Sequence, residues 1–216
     1  MDTTILANAG RKPRGEGQAR RGEILSAAKR IFLSDGYANA TIRKIAAAVG
    51  VSSGALYLYF PDKDAILRGI AEDTFAALVQ CLEDAKLGHA CPLQRLRAGM
   101  RAYIDFGRAR PDEYRLTFLS KMMSEATPGR TSTAVCDRIQ DAERSFDILL
   151  QETRNLIETG LFRPADPEEI AEALWSCMHG VTAILLDHPN HITTGADRLA
   201  DTVVDIAING MRRLPA

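Results

Sequence analysis

From Ile24 to the end of the chain, apolar residues recur three and four positions apart, and no segment alternates long enough to make a strand. That period restricts the fold to packed helices. Ile24, Ala27, Ala28, Ile31 and Phe32 give the first stripe, stopped by Asp35-Gly36. Thr41 can cap a second helix through Ile42, Ile45, Ala46 and Val49, which Gly50 ends. Ser52 caps a third that stops at Pro61, and Asp62 a fourth through Ile66, Leu67, Ile70, Phe75, Leu78 and Leu82. Helices over 93–110, 111–125, 134–159, 167–186 and 196–212 follow, with ATPGRTST the clearest loop between them. The expectation is an all-α chain of about nine helices without a solenoid repeat.

Three parts are expected: a flexible basic arm over residues 1–18, a three-helix head over 19–63 and a helical body over 64–216. Of the 216 residues 46% are apolar, enough for a core without staples. The apolar runs stop short of the ~20 residues of a membrane span. The N-terminus has no apolar core of signal-peptide length, so the expected location is cytoplasmic with no membrane partner. Cys81, Cys91, Cys136 and Cys177 form no CxxC pair, and His188 and His191 flank Pro189. Neither a metal site nor a cofactor is expected.

Net charge is −1, but its distribution is uneven. Residues 1–63 carry ten Lys or Arg against five Asp or Glu, which is +5 and leaves −6 for the remainder. A basic head on an acidic body suits a polyanion. Helix, a turn at Gly50-Val51-Ser52, and helix again make helix-turn-helix geometry. Spacing turns Leu56 and Phe60 inward and leaves Ser53 and Tyr57, with Gly54 and Leu58 beside them, on another face. A side-chain-free Gly54 allows close approach, helix N-termini favour phosphate, and a tyrosine can reach a phosphate oxygen or a thymine methyl.

Residues 41–67, TIRKIAAAVGVSSGALYLYFPDKDAIL, with the preceding FLSDGY, resemble the helix-turn-helix of the tetracycline-repressor (TetR) family of bacterial transcription regulators. The resemblance implies a homodimer that binds a double-stranded DNA operator, with residues in stated roles. Thr41 would cap its helix and touch phosphate, and Arg43 would project toward base edges. Ser53, Gly54 and Ala55 would enter the major groove with Tyr57 and Leu58, while Tyr59 and Lys63 would clamp the backbone. Ala55 stands where the family usually has Thr, and Tyr59 where His is common. A Ser-Gly-Ala first turn therefore implies shape-dependent readout, with Arg43 carrying more of the specificity and the arm Arg11 to Arg21 adding salt-dependent affinity.

In TetR-like proteins the remaining helices bind a ligand and dimerise. Leu174, Met178, Val181 and Leu185 form one stripe, and Leu199, Val203, Ile206 and Gly210 another; both are expected at a four-helix dimer interface, with the monomer's own core as the alternative. EALWSCMHGVTAIL resembles a W-x-x-x-H-G feature of one TetR subgroup, as Trp175, His179 and Gly180. His179 would then offer a polar handle in a cavity for a small apolar or amphipathic effector; a core histidine packed on tryptophan is the alternative. Tyr103, Phe106, Phe118, Met122, Phe146 and Met178 complete the pocket candidates.

The expected function is a DNA-binding transcriptional regulator, a repressor released by its effector. The competing reading is a helix-turn-helix regulator without an effector: a constitutive repressor, an activator or an architectural protein. Catalysis is not expected, because Cys177 and His179, two residues apart on a helix, diverge by about 200°.

Overall fold

The structure, a computed structural model, describes residues 16–119 and 139–212. Among them nine α-helices and no strand occur; Phe162 and Arg212 form one isolated antiparallel bridge. The chain divides into two compact units, residues 1–66 and 67–216.

In the first unit, α1 (Glu16–Asp35) precedes two short helices, α2 (Ile42–Ala48) and α3 (Ser53–Tyr57). Gly36 and Gly50 have φ of 78° and 68°, so both turns use backbone that a side chain would strain. Thr41 Oγ1 accepts the Lys44 N–H at 3.2 Å and Ser52 Oγ the Ala55 N–H at 3.1 Å, satisfying donors that each helix start leaves open. Ile24, Ala28, Phe32, Ile45, Ala46, Leu56 and Phe60 are all buried in the core of this unit. The third helix is shorter than its periodicity suggests. Leu58 and Tyr59 leave it in a tight turn closed by Phe60 N–H to Leu56 C=O at 3.1 Å.

Helix α4 (Lys63–Lys86) begins with Asp62 Oδ1 accepting the Ala65 N–H at 2.6 Å. The second unit then contains α5 (Pro92–Ala109) and α6 (Pro111–Tyr114), which passes into a π-helical turn, Arg115–Leu119. After the segment 120–138, which lies outside the described residues with ATPGRTST and Cys136, come α7 (Gln140–Glu158), α8 (Pro167–Asp187) and α9 (Ala196–Met211). Helix α8 packs on α5, α7 and α9, and α5 packs on α7 and α9 as well. Arg101 of α5 ties α9 down, reaching Asp197 at 2.6 Å and Asp201 at 2.5 Å.

This packing corrects one expectation. Leu174, Met178 and Val181 are 2, 3 and 5% exposed, so that stripe of α8 lies in the unit's own core and Leu174 and Val181 have no surface left for a partner. The reason is that α8 has three helical neighbours. Leu185 is half-buried, and the outward face of α8 runs instead through Ala173, Cys177, Gly180 and Ile184. On α9 the inward stripe is Ala200, Val204, Ile208 and Met211. Leu199 and Val203 are half-buried, and Ile206 and Gly210 exposed.

Candidate functional site

In the first unit, α2 and α3 present the residues singled out from the sequence. Thr41 and Arg43 are exposed at the start of α2. Ser53 and Ala55 are half-buried and Gly54 exposed on the first turn of α3. Tyr57, Leu58 and Tyr59 follow at 54, 86 and 39% exposure, three consecutive large side chains facing outward while Leu56 is fully buried. Burying them would remove apolar surface from water at ~25 cal/mol per Å². An exposed cluster of this kind marks a contact surface.

Gly54 has no internal reason to lack a side chain. A Cβ there would meet only Ser52 Oγ, at 3.9 Å. Such a glycine in a helix costs about 1 kcal/mol relative to alanine. Lys63 is half-buried and turned inward. Its Nζ donates to the Tyr37 carbonyl at 2.9 Å and lies 4.2 Å from the Tyr37 ring centroid, while Tyr37 Oη donates to Asp64. An ammonium has three donors, so this contact does not exhaust it. Lys44 is held by Asp35 at 2.9 Å, which keeps the Asp35 carboxyl below its usual range.

The second unit contains a partly open cavity of about 500 Å³. Phe75, Leu78, Leu82, Leu96, Met100, Phe118, Phe146, Leu149 and Met178 give it apolar walls. At one end Glu152 holds Arg95 at 3.1 Å and Lys86 at 3.8 Å. Tyr103, Thr117, Trp175 and His179 also line it. Trp175 Nε1–H donates to Tyr103 Oη at 3.3 Å; Tyr103 Oη and Tyr114 Oη are 3.1 Å apart; and Tyr114 Oη is 2.8 Å from His179 Nδ1. Burial pushes both phenols above their ordinary range and the His179 imidazole below its own. Neutral His179 is the form this site favours.

Tyr103, Phe118, Phe146, Trp175, Met178 and His179 thus share one cavity, whereas Phe106 does not line it. The stripe of α5 that does is Arg95, Leu96, Gly99, Met100 and Tyr103. Phe106, three residues beyond Tyr103, lies past the end of that lining stretch and is buried with the Arg110 guanidinium 5.3 Å from its ring centroid. Met122 lies outside the described residues. Sequence reasoning missed Tyr114, fully buried at the centre of the chain of hydroxyls, because after Pro111 it reads as ordinary helix core. It missed Thr117 for the same reason. Gly107 did leave a signal, a glycine inside a long helix; a Cβ there would meet Thr182 and Tyr114.

Comparison with known proteins matches these two regions separately. Residues 24–70 match the family described as bacterial regulatory proteins, tetR family, and residues 96–207 the tetracyclin repressor-like C-terminal domain. The chain is 30% identical over 146 residues to the HTH-type transcriptional activator FasR of Mycolicibacterium smegmatis, covering 66% of this chain and 63% of that protein. It is 47% identical over 57 residues to the HTH-type transcriptional repressor Rv1474c of Mycobacterium tuberculosis, covering 26% of this chain and 30% of that one. The chain therefore spans less than two thirds of the length of either relative. The solved TetR family regulator PfmR of Thermus thermophilus superposes with a TM-score of 0.69 at 25% identity, over 90% of this chain and 98% of that one. With its head and its body both matched, the chain belongs to the TetR family of bacterial regulatory proteins.

Proposed function

We propose that the protein is a sequence-specific DNA-binding transcriptional regulator that acts as a homodimer in the cytoplasm and is not an enzyme. The observation that carries this reading is the surface of α3. Tyr57, Leu58 and Tyr59 are outward and Gly54 is exposed with room for a Cβ, an arrangement with no purpose inside the unit. Against B-DNA, Gly54 admits the helix to the groove, Ser53 and Ala55 lie along its floor, and Tyr57 and Leu58 contact backbone and thymine methyl. Thr41 and Tyr59 bind phosphate, the spare donors of Lys63 add to them, and Arg43 reaches base edges. Support for a DNA target also comes from Rv1474c, whose similarity to this chain spans 57 residues.

The outward faces of α8 and α9 support the dimer: Ile184, Ile206 and Gly210 are exposed and Leu199 and Val203 half-buried, which leaves apolar surface for a second copy. The cavity supports regulation by a small effector, whose binding must favour the state that releases DNA. Regulation is by repression in this reading. A selection from random duplex DNA with the full chain tests it. It should enrich an inverted repeat with half-sites about one helical turn apart, ~34 Å. Tyr57→Ala should lose that enrichment. Equally weak binding of every sequence by both proteins would remove the regulator reading.

A further inference from the structure

The cavity's polar wall carries information about what it accepts. A tryptophan N–H can only donate, so Tyr103 Oη accepts from Trp175. Tyr103 is buried, and among the described residues its own proton has one acceptor in reach, Tyr114 Oη at 3.1 Å. The Tyr114 proton then goes to His179 Nδ1 at 2.8 Å. Thr182 also borders Tyr114, but its hydroxyl donates to the Met178 carbonyl at 2.7 Å, and an aliphatic hydroxyl is a weaker acceptor than an imidazole nitrogen. The reverse direction along the tyrosines would leave the buried Tyr103 O–H without an acceptor among the described residues. Nδ1 is therefore bare and the imidazole proton sits on Nε2, which has no hydrogen-bond partner among the described residues.

A second observation on the same cavity is independent of that chain. Thr117 lines it from the π-helical turn and is 5% exposed, yet its Oγ1 has no hydrogen-bond partner among the described residues. A buried hydroxyl left unpaired costs about 1–3 kcal/mol, and π turns recur at functional sites. The charged groups in the lining, Lys86, Arg95, Glu152 and Glu172, sum to zero, and Glu152 already holds both cations. Among the described residues no surplus charge awaits an ion.

We infer that the cavity takes an uncharged ligand with an apolar body and a terminal carbonyl oxygen, which accepts from His179 Nε2–H and Thr117 Oγ1–H. A carbonyl oxygen has two lone pairs for two donors. From Arg95 to Tyr103 of α5 the helix rises about 12 Å, the length of a chain of roughly ten carbons. Ketones and esters of that size are the class. The inference rests on the cavity's role as an effector site but not on DNA binding.

The probes are 2-decanone, decanoate and decylammonium, added to the full chain without DNA. Fluorescence of Trp175, the single tryptophan, reports binding. The ketone should bind more tightly than either ion. His179→Phe and Thr117→Val should each weaken it about tenfold, the effect of one lost hydrogen bond. Thr117→Val should leave the ligand-free protein at least as stable, which a merely structural threonine would not do. Long-range proton–nitrogen spectra of the ligand-free protein should show His179 protonated at Nε2; this measurement needs no variant to fold. Failure of 2-decanone to bind, tighter binding of either ion, unchanged ketone affinity in either variant, or a proton on Nδ1 would overturn the inference. None of those results bears on the DNA selection, so the two readings fail separately.

Discussion

Gly107 of α5 lies directly against Thr182 of α8: a Cβ on Gly107 would sit 2.4 Å from Thr182 Cγ2 and 2.9 Å from Tyr114 Cδ2. The contact lets α5 and α8 approach closely at the end of the cavity stripe. Alanine in a helix interior gains about 1 kcal/mol over glycine. Overpacking a dense core costs about 1–3 kcal/mol, and the overlap here is with β-branched and aromatic atoms that have little freedom to move. Gly107→Ala should therefore lower stability in urea unfolding, and a stability equal to wild type would show that the helices can part without penalty.

Gly54 is expected to behave in the opposite way. Its missing Cβ meets nothing but Ser52 Oγ. Gly54→Ala should stabilise the protein by up to about 1 kcal/mol and weaken operator binding in an anisotropy titration. Retained affinity in the stabilised variant would mean that α3 does not approach DNA at this residue.

Lys63 is turned toward the Tyr37 carbonyl and ring, and the proposed phosphate contact uses the donors which that hydrogen bond leaves spare. Lys63→Ala should weaken binding to all sequences alike and reduce the salt slope by about one. Altered base preference, measured on a panel of operator variants, would contradict a phosphate role.

The two stripes proposed from the sequence for the dimer should now separate. Ile206 is 68% exposed and Leu174 2%. Ile206→Glu should shift the protein toward monomer in sedimentation while each chain stays folded. Leu174→Ala should instead lower unfolding stability by about 2–5 kcal/mol. A Leu174 variant that dissociates without losing stability would contradict its place in the core.

His179 gives the protein a pH dependence of known sign. Burial lowers its pKa below the ordinary 6.5, so below that pH the unfolded chain takes up a proton that the native state resists. The contribution is fully present above about pH 6.5 and is lost progressively as pH falls toward the depressed native value. Urea midpoints measured from pH 7.5 downward should fall less steeply for His179→Phe than for wild type. Parallel curves would show that His179 titrates normally in the folded protein.

Much of the architecture was legible in the residues alone. The 3.6-residue period placed Ile24, Phe32, Ile45, Leu56, Phe60, Ile66 and Leu78 inside, because side chains three and four apart share a helix face whatever the rest of the chain does. Gly36 and Gly50 marked turns because positive φ is a local property. The outward set Tyr57, Leu58 and Tyr59 followed from the same geometry, since Leu56 and Phe60 occupy the only buried face that so short a helix has.

Tertiary packing decided what periodicity leaves open. A helix with several apolar faces, such as α8, has no local signal for which face meets its own chain and which meets another. Only its contacts with α5, α7 and α9 assign Leu174 and Val181 inward and Ile184 outward. Phe106 left the cavity, and Tyr114 and Thr117 entered the argument, for a related reason: a cavity is what neighbouring helices fail to fill. The proton order from Trp175 to His179 joins three segments of the chain, and no spacing within one segment could encode it.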